Sequence, residues 1–268
     1  MNIRTINIDG QVIRVAIREG SSVPVLFFNG IGASLELVLP FIDSLPPELS
    51  VIAFDVPGIG GSSLPTTGAY TMQGLAQTVS KMLDVLGVQY VDALGLSWGG
   101  FLAQQFAYSF PTRCRKLILA ATSHGVLSVP PSFKVLGLMS SPKRYTDLEF
   151  AARITPDIYG GSFRHDKKLG LSHARKMIAD KTPTFEQGYK YQMGALFGWS
   201  SLTWLHTLRQ PTLVLCGNDD PIIPLVNMHV LSNLIPNSVQ HVFNDGHLFL
   251  LTDIERCTPI IHSFLEAV

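Results

Sequence analysis

Gly95-Leu96-Ser97-Trp98-Gly99-Gly100 constrains this chain more than any other stretch. Glycines two residues before and two after a serine remove the side chains that would clash where a strand turns sharply into a helix. The flanks agree with such a turn. Tyr90–Leu94 is a short, mostly apolar run of strand length, and Phe101–Phe110 is apolar at helical spacing and ends before Pro111. A serine held on such a turn is a candidate nucleophile that needs partners from elsewhere in the chain.

Residues 3–8 and 11–18 read as two alternating strands joined by the turn dipeptide Asp9-Gly10. Val25–Phe28 and Val51–Phe54 are continuous apolar runs, as in strands covered on both faces, and similar runs recur at 90–94, 116–121, 213–216 and 239–243. Helical patterns lie between them, notably Met72–Leu86 and Ala103–Phe110. This alternation predicts an α/β fold with a mainly parallel sheet and a ligand site beyond the carboxyl ends of its strands.

The alternation fails over residues 123–209, which are expected to form an inserted, mostly helical lid between core segments 1–122 and 210–268. That interval carries twelve Lys and Arg against six Asp and Glu, in a chain whose formal net charge is +0. It is also rich in large apolar side chains. Most are expected to pack the lid's own helices, while some, such as Trp199, Phe197 and Tyr159, are candidates to wall a substrate pocket.

A neutral chain argues against a nucleic-acid binder held by phosphate contacts. With no h-region near Met1 and no run of about 18 apolar residues, the chain reads as soluble, unexported and therefore cytoplasmic. Cys114, Cys216 and Cys257 are odd in number and sit in apolar segments, so they read as buried small hydrophobes rather than as a disulfide framework or metal site. No metal or organic cofactor is expected.

A serine hydroxyl needs a base within hydrogen-bond reach and a third group to hold that base. Of the four histidines after residue 211, His247 lies in the turn Asn244-Asp245-Gly246-His247 directly after a strand, where its ring can hang over the sheet edge. His241 lies within a strand, and His229 and His262 lie in helical patterns. For the acid, Cys216-Gly217-Asn218-Asp219-Asp220-Pro221 follows the preceding strand. Asp220 is the first choice and Asp219 the close alternative, the carboxylate that does not face the histidine being expected to bind turn amides. Asp245, two residues from His247, is the weaker alternative. Oxyanion donors, each worth roughly 2.7 to 4 kcal/mol, are expected from the backbone N–H of Trp98 and, in the loop Asn29-Gly30-Ile31-Gly32, from that of Ile31. Asp55–Ser62 lacks the lysine and spacing of a phosphate loop and reads as a strand-end turn.

At this point the chain resembles the α/β-hydrolases and, more narrowly, the intracellular medium-chain-length polyhydroxyalkanoate depolymerases. The resemblance is carried by Phe28-Asn29-Gly30-Ile31-Gly32-Ala33, Phe54-Asp55-Val56-Pro57-Gly58, Ser97-Trp98-Gly99-Gly100, Ile158-Tyr159-Gly160-Gly161 and Asp245-Gly246-His247-Leu248-Phe249-Leu250, and it extends over essentially the whole chain. It implies Ser97, Asp220 and His247 as a triad, and intracellular ester cleavage of stored 3-hydroxyalkanoate polyester, while the basic, aromatic lid suggests docking on a granule surface. A general carboxylesterase or lipase would use the same three groups. A carbon–carbon bond hydrolase acting on a diketone and a non-catalytic, hydrolase-like binding protein are the remaining alternatives.

Overall fold

The structure is a computed structural model that describes residues 1–267. Its strands are β1 (Asn2–Ile8), β2 (Gln11–Arg18), β3 (Val25–Phe28), β4 (Val51–Phe54), β5 (Val91–Leu96), β6 (Cys114–Ala120), β7 (Thr212–Gly217) and β8 (Ser238–Phe243). They form one sheet in the order β1-β2-β4-β3-β5-β6-β7-β8. β2 pairs antiparallel with β1 and with β4, and every other pairing is parallel. Asp9 and Gly10 both take positive φ, 52° and 85°, the backbone that lets two residues close a hairpin whose strands share the natural twist.

Two groups of helices cover the sheet. On one face α2 (Met72–Val85), α3 (Trp98–Ser109) and α8 (Leu225–Leu234) pack on side chains such as Leu26, Phe28, Leu117 and Val214. On the other, α1 (Leu35–Ser44), α9 (Phe249–Thr252) and α10 (Ile254–Glu266) pack on Phe27, Leu94, Ile118 and Leu215. α3 is buried all round from Trp98 to Ala107. Such a helix lies in the interior rather than on a surface.

One strand departs from the sequence expectation. The run at 239–243 reads as covered on both faces, yet β8 is the sheet's last strand and leaves Val239 57 % and Val242 42 % exposed. An edge strand has a neighbour on one side only, so apolar character there does not report burial.

The segment between β6 and β7 contains α4 (Phe133–Met139), α5 (Leu148–Tyr159), α6 (Lys167–Ala179) and α7 (Phe185–Ala195). The side chains of Ser132, Asp147 and Asp166 accept from backbone N–H groups of the first turns of α4, α5 and α6, which fixes where these short helices begin. Among the described residues no helix is long and apolar enough to cross a membrane.

Candidate active site

Ser97 stands between the end of β5 and the start of α3 with φ 54° and ψ −119°. A non-glycine residue there carries about 1–3 kcal/mol of strain, which the surroundings must hold. The Ser97 N–H donates to Ala120 O at 2.8 Å, and Gly100 N–H donates to Ser97 O at 2.8 Å. Gly99 is required by crowding: a Cβ there would collide with the carbonyls of Phe28 and Asn29, so any larger residue would push α3 away from the end of β3.

Three strand ends bring the remaining groups to this point. His247, after β8, places Nε2 3.0 Å from Ser97 Oγ, and its Nδ1 lies 2.7 Å from Asp220 Oδ2, after β7. His247 and Asp220 are both buried. Asp220 also accepts at Oδ1 from the N–H groups of Ile222 (2.8 Å) and Ile223 (2.9 Å). One carboxylate therefore faces the imidazole and binds its own turn at once, whereas the sequence reading divided those tasks between two aspartates. Asp219 instead accepts from Gly161 N–H at 2.8 Å and from Arg164 Nη2 at 2.9 Å, and that guanidinium holds its carboxyl below the usual range. Asp245 accepts from Ser162 N–H (2.7 Å), Gly246 N–H (2.7 Å) and the Thr252 hydroxyl (2.7 Å), so it fastens the histidine turn and does not face the ring.

The loop after β3 is closed on itself by Asn29. Its amide donates to Ala33 O (3.0 Å) and Ser34 O (2.8 Å) while its oxygen accepts from Gly30 N–H (2.9 Å). That ring of bonds presents Ile31 beside Ser97, and the two line the same cavities. Among the described residues the backbone N–H groups of Ile31 and Trp98 have no protein acceptor. Two unengaged amides beside Ser97, one of them at the first turn of α3, are an arrangement able to donate to a negatively charged oxygen.

Gln192 of α7 joins both sides of this pair, and sequence gave no sign of it. Its Oε1 accepts from Gly32 N–H at 2.8 Å, and its backbone carbonyl accepts from the Trp98 indole N–H at 2.9 Å. Replacing Gln192 with Leu keeps most of the volume, leaves the carbonyl on Trp98 and removes the acceptor from Gly32. Steady-state kinetics on a soluble ester are expected to show kcat about tenfold lower with KM little changed, because the lost contact orders donors needed most in the transition state. A rise in KM alone would make Gln192 a wall of the pocket.

Ser97 lies between two cavities. The larger, about 790 Å³, is mostly apolar and is lined by Phe101, Val126, Val129, Leu136, Met193 and Phe197. The smaller, about 80 Å³, contains Tyr159, His173, Arg144 and His247. Of the three aromatic candidates, Phe197 and Tyr159 thus border these spaces. Trp199 borders neither: its indole N–H donates to Gln105 Oε1 at 2.7 Å and its ring packs on Phe101 and Trp204.

A family model described as the alpha/beta hydrolase fold matches residues 23–254. A poly(3-hydroxyalkanoate) depolymerase from Ectopseudomonas oleovorans is 52 % identical over 265 residues, 98 % of this chain and 92 % of that protein. A 2-hydroxymuconate semialdehyde hydrolase from Pseudomonas putida is 32 % identical over 224 residues, 80 % of this chain and 76 % of that one. Among solved structures, the enol-lactonase from Burkholderia xenovorans superposes with a TM-score of 0.82 over 98 % of this chain and 100 % of its own, at 20 % identity, a likeness of fold alone.

Proposed function

The chain belongs to the α/β-hydrolase family, and from that premise we propose that it is a serine hydrolase of carboxylic esters whose substrate is a 3-hydroxyalkanoate polyester. The near full-length, 52 % identity to a poly(3-hydroxyalkanoate) depolymerase carries the substrate. In this reading Ser97 Oγ attacks the ester carbonyl carbon and its proton passes to His247 Nε2. Asp220 fixes the tautomer with Nδ1–H and stabilises the imidazolium. The Ile31 and Trp98 amides hold the oxyanion. His247 then protonates the departing alkoxide, and a water activated by the same ring releases the acid from Ser97. Residues 123–209 act as a lid that walls the larger cavity.

The test pairs an amorphous polyester with medium-length side chains against a short soluble acyl ester. Release of 3-hydroxyacids from the polymer supports the reading, while turnover of the short ester alone makes the protein a general carboxylesterase.

The polymer is water-insoluble, so the protein must meet it at a surface. Support for contact through the mouth of the larger cavity comes from its apolar surroundings: Phe133 and Phe197 are each 94 % exposed, and Leu127, Val126 and Met193 are exposed too. Fully burying a phenylalanine is worth about 1.5–3 kcal/mol, so a few such side chains suffice to hold a protein on an apolar particle. Leu127 and Phe133 stand outside the cavity lining. Changing both to Ser is expected to weaken binding to polyester particles about tenfold or more in a sedimentation assay, with a much smaller effect on the short soluble ester. Equal losses on both substrates would place these residues in the lid's packing instead.

A further inference from the structure

Arg144 is 4 % exposed, yet among the described residues no Asp or Glu oxygen lies within 4.0 Å of its guanidinium. The other well-covered arginines are engaged. Arg14 meets Glu36 and Asp55, Arg113 meets Asp84, and Arg18 donates to the carbonyls of Ile42, Leu45, Pro46 and Leu49. Arg144 donates only to Tyr159 Oη at 3.0 Å and, at the long distance of 3.3 Å, to Met139 O, while the Tyr145 ring lies 4.8 Å from its Cζ. A guanidinium has five N–H donors, and burying it without an anion costs far more than burying it with one. Its remaining donors have no acceptor among the described residues. Arg144 lines the cavity of about 80 Å³ that also contains Ser97, Ile31 and His247.

The chemistry of a 3-hydroxyacid ester fits the two unequal cavities. The carbon bonded to the scissile oxygen carries both the alkyl side chain and a short arm, –CH₂–C(=O)–. In the last unit of a chain that arm ends in a free carboxylate. The alkyl chain suits the apolar space of about 790 Å³, whereas the small space takes little more than a carboxylate and its methylene. His173 and Tyr145 border the same space and bring no negative charge to it.

We infer that the smaller cavity is a carboxylate subsite in which Arg144 clamps the free carboxyl end of a 3-hydroxyalkanoate chain, so that the terminal ester is presented to Ser97 and the last unit leaves as a 3-hydroxyacid. This rests on the ester-hydrolase reading above and adds a direction of attack, from the carboxyl terminus inward. The acyl–oxygen bond of that ester breaks, the alkoxide takes its proton from His247, and water supplies the hydroxyl of the new chain end.

Two measurements test it. The first compares kcat/KM of the wild-type protein for the linear dimer of 3-hydroxyoctanoic acid and for the same dimer as its methyl ester. The free acid is expected to be favoured about tenfold or more, as a charge-assisted clamp implies, and Arg144→Gln to bring the two to near parity, with Arg144→Lys between. Equal turnover of acid and methyl ester by the wild type overturns the inference whatever the variants do. If neither dimer nor any simple ester is cleaved, it is the hydrolase reading that fails. The second therefore measures calorimetric binding of 3-hydroxyoctanoate to the Ser97→Ala protein, with and without Arg144→Gln. Affinity is expected to fall about tenfold or more with the second change, and unchanged affinity overturns the subsite.

Discussion

Ser97→Ala is expected to lower ester turnover by a factor of about a thousand or more, the order of loss that follows removal of a nucleophile acting in concert with its base. The hydroxyl stands 3.0 Å from His247 Nε2 beside two unengaged amides, and in the proposed mechanism its removal deletes the covalent step and leaves oriented binding and the amide pair. Alanine has the same preference against φ 54° as serine, so the strain at the turn is retained and thermal unfolding should change little. Steady-state rates on a soluble ester, measured beside a melting curve, check both. Turnover within tenfold of wild type would remove Ser97 from the mechanism.

Asp220→Asn is expected to be nearly as damaging, about 10³- to 10⁴-fold in kcat, for a reason specific to this turn. Asp220 uses both oxygens as acceptors, one for the Ile222 and Ile223 amides and one for His247 Nδ1. Asparagine has a single acceptor. If it keeps the two amides, its NH₂ faces Nδ1 and drives the proton to Nε2, where the ring can no longer take one from Ser97. If it keeps Nδ1–H, two turn amides face an NH₂ group. Asp219→Asn, in contrast, alters only the contacts with Arg164 and Gly161, and its expected loss is within about tenfold. Comparing the two variants decides which neighbouring carboxylate serves the histidine, and a larger effect at Asp219 would reverse the assignment.

The parts of the site readable from the chain are those imposed by local backbone demands. Gly95-Leu96-Ser97-Trp98-Gly99 announces a tight strand-to-helix turn, Asn29-Gly30-Ile31 an inward-folded loop, and Asp245-Gly246-His247 a turn at a strand end. Asp220 ranks first from the sequence with Asp219 only just behind, because adjacent residues share every local signal and only packing decides which way each side chain points. Gln192 gave no signal at all: a glutamine inside a short amphipathic helix is ordinary until α7 is laid against the elbow. The same holds for Arg144, whose lack of a carboxylate is a property of its neighbours in space. Phe197 and Trp199 show the limit for aromatic residues, two positions apart with one at the cavity mouth and the other bonded to Gln105. In the sheet, continuous apolar runs located the strands and misread only β8, where hydrophobicity and edge position coincide.

The Tyr159-Gly160-Gly161 segment at the end of α5 bears on how such proteins can be re-engineered. Tyr159 O accepts from His247 N–H at 2.7 Å, and a Cβ on Gly160 or Gly161 would run into Asp219 O or the Asp245 carboxylate. The covering helices are thus wedged into the turns that carry the acid and the base, while Gln192 ties them to the elbow. A chimera given a foreign 123–209 to change its taste for side-chain length would also inherit a misaligned His247, unless the two glycines and Gln192 travel with the host. The segment to exchange is 126–138, which borders the apolar cavity without gripping the histidine turn and stops short of Met139, whose carbonyl meets Arg144.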